Sequence, residues 1–165
     1  MRKRVTGTSA AALGRFVEEA QRAAGLAGRL DVLIAGDGEL RRLNRRFRGK
    51  DRTTDVLSFP AEGTARPGVV GDIAISADQA RRNAKRLGHS VCEELKVLLV
   101  HGVLHLAGYD HERDQGRMAR KEEHLRRAFG LPVSLTGRGT RSAPESAPRC
   151  ASPARPSGMV RKRTR

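Results

Sequence analysis

Three histidines within eleven residues, His101, His105 and His111, are the side chains in this chain best placed by type and spacing to do chemistry. They lie in the stretch H-G-V-L-H-L-A-G-Y-D-H and are three of the five histidines in the sequence. His101 and His105 are four residues apart, so on a helix both rings leave the same face. Residues 93–106 read as that helix, because the run is largely apolar from Leu95 onward and its length favours a buried helix over a strand. Gly108 is a natural stop, since glycine accepts the left-handed conformation that ends helices. The chain can then turn and bring His111 back towards the pair. Three neutral imidazoles converging on one point make a tetrahedral Zn²⁺ site with its fourth position open, the catalytic rather than the closed structural pattern. Nitrogen ligands of this kind would also accept Ni²⁺, Cu²⁺ or Fe²⁺.

Two histidines at this spacing are by themselves more often satisfied side chains on a buried helix. The third, placed after a helix-ending glycine, turns the reading to metal. The spacing H-x-x-x-H-x-x-G-x-x-H resembles that of the metzincin proteases. Those enzymes need a glutamate directly after the first histidine as general base, and here that place is Gly102. The metal scaffold is present and the peptidase base is not.

The 165 residues suffice for one domain with a moderate core. Formal net charge is +15, from 33 basic and 18 acidic residues, which points to a polyanionic partner. Four Phe, one Tyr and no Trp leave little material for aromatic platforms, so contact with backbone phosphates is the expected mode. Cys92 and Cys150 form no C-x-x-C pair and suggest no disulfide framework, which fits a reduced, cytoplasmic setting. The basic start at Met1 has no apolar run behind it, so a signal peptide is not expected. The longest apolar run, 97–106, is too short to span a membrane.

The elements that must position the histidines follow from periodicity and punctuation. Ser9 caps a helix to about Ala24, with Leu13, Phe16, Val17 and Ala20 at helical spacing. Residues 30–35 read as a strand. Asp37 is a candidate N-cap for a helix over 39–47 that turns Leu40, Leu43 and Phe47 inward. Residues 48–54 are a polar loop, 55–59 a second strand closed by Pro60, and 69–75 a third strand. Ser76 caps a further helix that Gly88 stops. A charged helix is expected over 112–129, with Met118, Leu125 and Phe129 as its apolar points. Strands separated by helices predict a single compact α/β domain over 1–132. Its small sheet, of about three to four strands, is packed with helices, and the His-bearing helix lies at the core. From Val133 to the end the chain is rich in Ser, Pro, Gly and Arg and reads as a disordered basic tail. That tail holds eight basic residues and one acid, so +7 lies in it and +8 in the body.

Three blocks now carry a resemblance. They are L-N-R-R-F-R-G-K-D-R-T-T-D-V-L-S-F-P from Leu43 to Pro60, G-D-I-A-I from Gly71 to Ile75, and the histidine stretch from His101 to His111. In this order and spacing they resemble the YbeY family of bacterial zinc-dependent endoribonucleases, over roughly 10–132. The resemblance implies one Zn²⁺ held by His101, His105 and His111, and an essential arginine at Arg48. It implies single-stranded RNA as substrate, small-subunit rRNA 3′-end maturation as the task, and ribosome assembly as the setting, with the small subunit or assembly factors as partners. Two departures are visible. The N-terminus looks short, so a first strand would be reduced to about 4–8, and Thr53 stands where the family often has proline.

On that reading zinc lowers the pKa of a bound water towards ~7 and polarises a phosphoryl oxygen. The Arg48 guanidinium meets the charge that develops on the phosphorane. Gly102 would then leave room for a bulky backbone phosphate. Arg45, Arg46, Lys50 and Arg52 are the nearest candidates for RNA contact, and the arginines at 41, 42, 81, 82 and 86 extend the basic surface. Asp51, Asp55 and Asp110 are either carboxylates that orient a histidine or caps of turns. Ser58 and Tyr109 read as structural, Gly71-Asp72 as a bulge or turn beside the site, and His89 and His124 as surface residues. Two other classes stay open. One is a metallohydrolase such as a peptidase, which Gly102 disfavours. The other is a non-enzymatic ribosome-assembly factor with structural zinc.

Overall fold

The computed structural model describes residues 9–61, 68–110 and 113–133. Helix α1 spans Ala10–Ala24, strand β1 Arg29–Ala35, α2 Asp37–Arg48, β2 Val56–Pro60 and β3 Val69–Ser76. Helices α3 (Ala77–Leu87), α4 (Val91–Leu106) and α5 (Arg117–Ala128) complete the order. The strands form one sheet in the order β1-β3-β2, with β1 parallel to β3 and β2 antiparallel to it. The architecture is the expected single α/β domain with a three-stranded sheet. The short expected strand at 4–8 and the basic tail, apart from Val133, lie outside the described residues.

Period-two alternation on the strands sorts the helices onto two faces. Ile73 and Ile75 of β3 and Val56 of β2 face a large core made with α1, α4 and α5. Ala74 and Leu57 point the other way, into a smaller cluster with Leu40 and Leu43 of α2 and with Phe59. Helix α4 is therefore sandwiched. Leu95, Leu98, Leu99, Val103 and Leu104 are all fully buried, which is why its sequence is apolar all round rather than striped.

Local chemistry sets the helix ends. Ser90 and Glu93 form a reciprocal capping box at the start of α4, two residues earlier than the apolar run indicates. Ser76 Oγ accepts from the Gln79 amide and so caps α3 as expected. Gly108 adopts φ +86° just past α4, the left-handed stop its position predicts. The N-cap of α2 is Gly36, not Asp37. Asp37 is instead drawn sideways, accepting from Ser76 Oγ at 2.5 Å and pairing with Arg82. Helix α5 starts at Arg117, five residues later than expected, because Gln115 and Gly116 both hold positive φ. Phe47, expected inward, is 57% exposed on the last turn of α2.

Candidate metal centre

His101 and His105 leave the same side of α4 and their rings meet edge to face, with centroids 4.7 Å apart. The two Nε2 atoms lie 3.1 Å from one another. On the far side of the His101 ring, Nδ1 lies 3.0 Å from Glu122 Oε1. Both partners are buried, Glu122 at 1% and His101 at 6% exposure. A carboxylate oxygen accepts, so the His101 Nδ1 carries the proton and its Nε2 presents a lone pair to His105. A carboxylate behind a histidine in this way is the arrangement that orients metal-ligating imidazoles.

The pair fits a cation. Zinc–nitrogen bonds of about 2.0–2.1 Å in a tetrahedron separate two ligand nitrogens by about 3.3 Å, close to the gap observed. His111, the third expected ligand, lies outside the described residues. Among the described residues no group of three His, Cys, Asp or Glu side chains converges. The structure thus brings His101 and His105 together and adds Glu122. Sequence reasoning passed over Glu122, although a signal was present: with Met118, Leu125 and Phe129 it shares the apolar face of α5. An acid at a core position of an amphipathic helix asks for a buried partner.

Gly102 has a packing role. A Cβ there would lie 2.9 Å from Ile73 Cδ1, 3.1 Å from Ile73 Cγ2 and 3.2 Å from Ser58 Oγ. The residue faces the sheet, and Ser58 donates to its carbonyl at 3.1 Å. The expectation that Gly102 makes room for a phosphate is therefore wrong. It lets α4 approach β2 and β3. Gly71 does the same from below, where a Cβ would meet the Phe59 carbonyl at 2.5 Å and Leu106 Cδ2 at 2.8 Å. The bulge expected beside it falls between Arg29 and Leu30 in the register, opposite Val70.

Arg48 is exposed on the last turn of α2, the helix whose Leu40 and Leu43 pack into the smaller cluster. Among the described residues the polar partners found for the histidines are Glu122 and each other, not Arg48. Arg45, Arg46, Lys50 and Arg52 are exposed around it. The other arginines of the expected basic surface are mostly neutralised. Arg41 grips Asp51, Arg42 pairs with Glu39, Arg81 with Asp78 and Arg82 with Asp37. Hydrogen bonding from Arg41 holds the Asp51 carboxyl below its usual range, so Asp51 serves a surface pair, not a histidine. Asp55 accepts from the Val56 amide at 3.0 Å and starts β2. The Asp110 carbonyl accepts from the Arg113 and Asp114 amides in the turn after α4. His124 is exposed as expected and Tyr109 packs on the large core. His89 is not a surface residue: its side chain is 9% exposed, with Nε2 2.7 Å from the fully buried Glu94. Glu94 also accepts from Asn83 at 3.0 Å, tying α3 to α4.

Residues 3–130 match the family described as Endoribonuclease YbeY. The chain belongs to the YbeY family. An Endoribonuclease YbeY from Koribacter versatilis is 51% identical over 149 residues, 90% of this chain and 96% of that protein. Another from Solibacter usitatus is 50% identical over 127 residues, covering 77% and 84%. The solution structure of TM1509 from Thermotoga maritima superposes with a TM-score of 0.52 at 29% identity, over 74% of this chain and 85% of that one. The match to the YbeY family takes in the histidine stretch, α2 and the basic loop after it.

Proposed function

We propose that this chain is a zinc-dependent, single-strand-specific endoribonuclease of rRNA processing, acting at the 3′ end of small-subunit rRNA. Endoribonuclease activity, hydrolysis of RNA phosphodiester bonds, comes with family membership. The observation that supports the metal is the pair of Nε2 atoms 3.1 Å apart with Glu122 seated behind His101. His101, His105 and His111 would hold one Zn²⁺, which when bound activates water and withdraws charge from a phosphoryl oxygen. The residues of the chain do the rest. Glu122 keeps the proton on His101 Nδ1 and the ring in place. Arg48 grips the scissile phosphate in a bidentate fork and meets charge developing in the transition state. Arg45, Arg46, Lys50 and Arg52 hold flanking phosphates.

A peptidase is disfavoured by packing as well as by chemistry. A glutamate at position 102 would be driven into Ile73 and Ser58 rather than towards the histidines. We put the catalytic domain at 1–132 and a basic tail at 133–165, outside it. We place the protein in the cytoplasm with the ribosomal small subunit or its assembly factors as partners. Among the described residues no helix is long and apolar enough to cross a membrane.

The deciding experiment pairs wild type with Arg48→Ala. Bound metal is quantified in each, and both are incubated with single-stranded RNA carrying a small-subunit rRNA 3′ end. One zinc in each and cleavage by wild type alone is the expected result. Metal in both with cleavage by neither, even with small subunits added, would replace the enzyme with an assembly factor whose zinc is structural.

A further inference from the structure

Phe47 is the more exposed of two large apolar side chains left open to solvent among the described residues, at 57% against 39% for Leu33. The rest of α2 behaves as an amphipathic helix should, with Leu40 fully buried and Leu43 packed on the smaller cluster. The Phe47 ring is held in place while remaining exposed. It leans on Phe59 of β2, with centroids 5.1 Å apart and planes tilted by 59°. The Arg46 guanidinium carbon lies 5.2 Å from its centroid. A supported aromatic ring with an arginine guanidinium over it presents the planar, cationic-aromatic surface on which a flat, electron-rich ring stacks.

Its surroundings select the kind of ring. Five basic residues, Arg45, Arg46, Arg48, Lys50 and Arg52, are exposed within residues 45–52. None of them makes an ion pair among the described residues. The one acid in that span, Asp51, has both oxygens taken by Arg41 at 2.7 and 2.8 Å. A strongly positive surface with one presented aromatic suits a ligand that joins aromatic rings to phosphates. The strand beneath links this surface to the histidines. Ser58, next to Phe59, donates to the carbonyl of Gly102, which follows His101.

We propose that Phe47 is a stacking platform for one unpaired base of the RNA substrate, beside the phosphate gripped by Arg48. The inference rests on the ribonuclease reading and deepens it. A base inside a duplex is already stacked on both faces and cannot reach the ring, so the platform favours single strands.

The test uses the full chain loaded with zinc and a fluorescein-labelled oligoadenylate, with an abasic strand of the same length as reference. Phe47→Ala is expected to weaken oligoadenylate binding about 5- to 100-fold, the range of one lost base stack. It should leave abasic binding and the salt dependence near wild type, because no phosphate contact is removed. Phe47→Tyr should bind as wild type does, and a melting curve on each variant checks folding. The sequence has no tryptophan, so Phe47→Trp creates a single reporter, which oligoadenylate should quench and the abasic strand should not. Equal binding of oligoadenylate by wild type and Phe47→Ala overturns the platform and leaves the ribonuclease standing. Equal weakening on both strands also overturns it, since Phe47 would then act through the fold of the basic loop. A wild type that binds neither strand and cleaves no RNA overturns the parent reading instead.

Discussion

A carboxylate 3.0 Å from a ring nitrogen decides which nitrogen of His101 faces His105. Glu122→Gln keeps the shape and can still accept through its amide oxygen, but lacks the charge that raises the basicity of the ring. Zinc affinity, measured by competition with a chromophoric chelator, is expected to fall about 10- to 100-fold. An unchanged affinity would reduce Glu122 to packing. At Gly102 the test is thermal. Alanine gains about 1 kcal/mol of helix propensity but forces its methyl against Ile73, which is fully buried and has nowhere to go. Overpacking of this kind costs about 1–3 kcal/mol, so Gly102→Ala should lower stability to urea by up to about 2 kcal/mol. A stabilised variant would show that α4 and the sheet have slack between them.

Helix α5 brings Glu122 to the centre, so what fixes α5 matters to the site. Its last turns carry a charge cluster in which Glu123 meets Arg126 at 2.7 Å and Arg127 at 2.8 Å. Arg126 also donates to the Leu131 carbonyl at 2.8 Å, pinning the chain beyond the helix. The Arg126 hydrogen bond foremost, then that of Arg127, lowers the Glu123 carboxyl from 4.5 to about 2 against the opposing effect of burial. A carboxyl depressed in the folded state stabilises fully above its unfolded value and loses that contribution as pH falls through its folded value. Glu123→Gln should therefore melt lower than wild type at pH 7 and converge with it between pH 4.5 and about 2. The side chain is 37% exposed, so the gap should stay below about 1 kcal/mol. A gap that persisted below that window would mean the pairs are not its source. At the other end of the core, Ser90→Ala breaks the capping box of α4 and should cost about 1 kcal/mol in denaturant titrations.

At the scale of the whole molecule, metal and RNA both act on the folded state. A ligand that binds only the native chain stabilises it by about 2.7 kcal/mol at a hundredfold excess over its Kd. Zinc should thus raise the melting temperature of wild type by about 5–10 °C, and His105→Ala should abolish most of that rise. An equal shift in both would move the metal elsewhere. The basic loop gives a second global readout, because each lost phosphate contact to a single strand removes about 0.7 from the slope of log affinity against log salt. Arg45→Ala with Arg46→Ala should flatten that slope by about 1.4 if both arginines touch phosphates. An unchanged slope would leave them as solvated side chains.

Much of this protein was legible in one dimension because the signals are local. The i, i+4 histidines, the Ser9 and Ser76 caps, the Gly108 stop and the apolar run of α4 depend on a few neighbouring residues and on backbone geometry that any chain shares. They sufficed for the α/β class and for the helix that carries His101 and His105. Most of the readings that failed needed partners from other elements of the fold. Phe47 has the spacing of an inward residue, yet on the last turn of α2 it stays 57% exposed, leaning on Phe59 with Arg46 over its ring. His89 looks like a surface histidine until Glu94 and Asn83 close over it. Gly102 reads as an open space beside a metal, and only the approach of Ile73 and Ser58 shows that the space is already filled. Glu122 stands 21 residues from the ring it orients, a separation no periodicity reports. Sequence by itself determined which residue types could hold a metal and on which elements they sit. Which carboxylate stands behind them, and which aromatic is left facing solvent, was decided by the packing of α4, α5 and α2 on a sheet whose two faces only the folded chain defines.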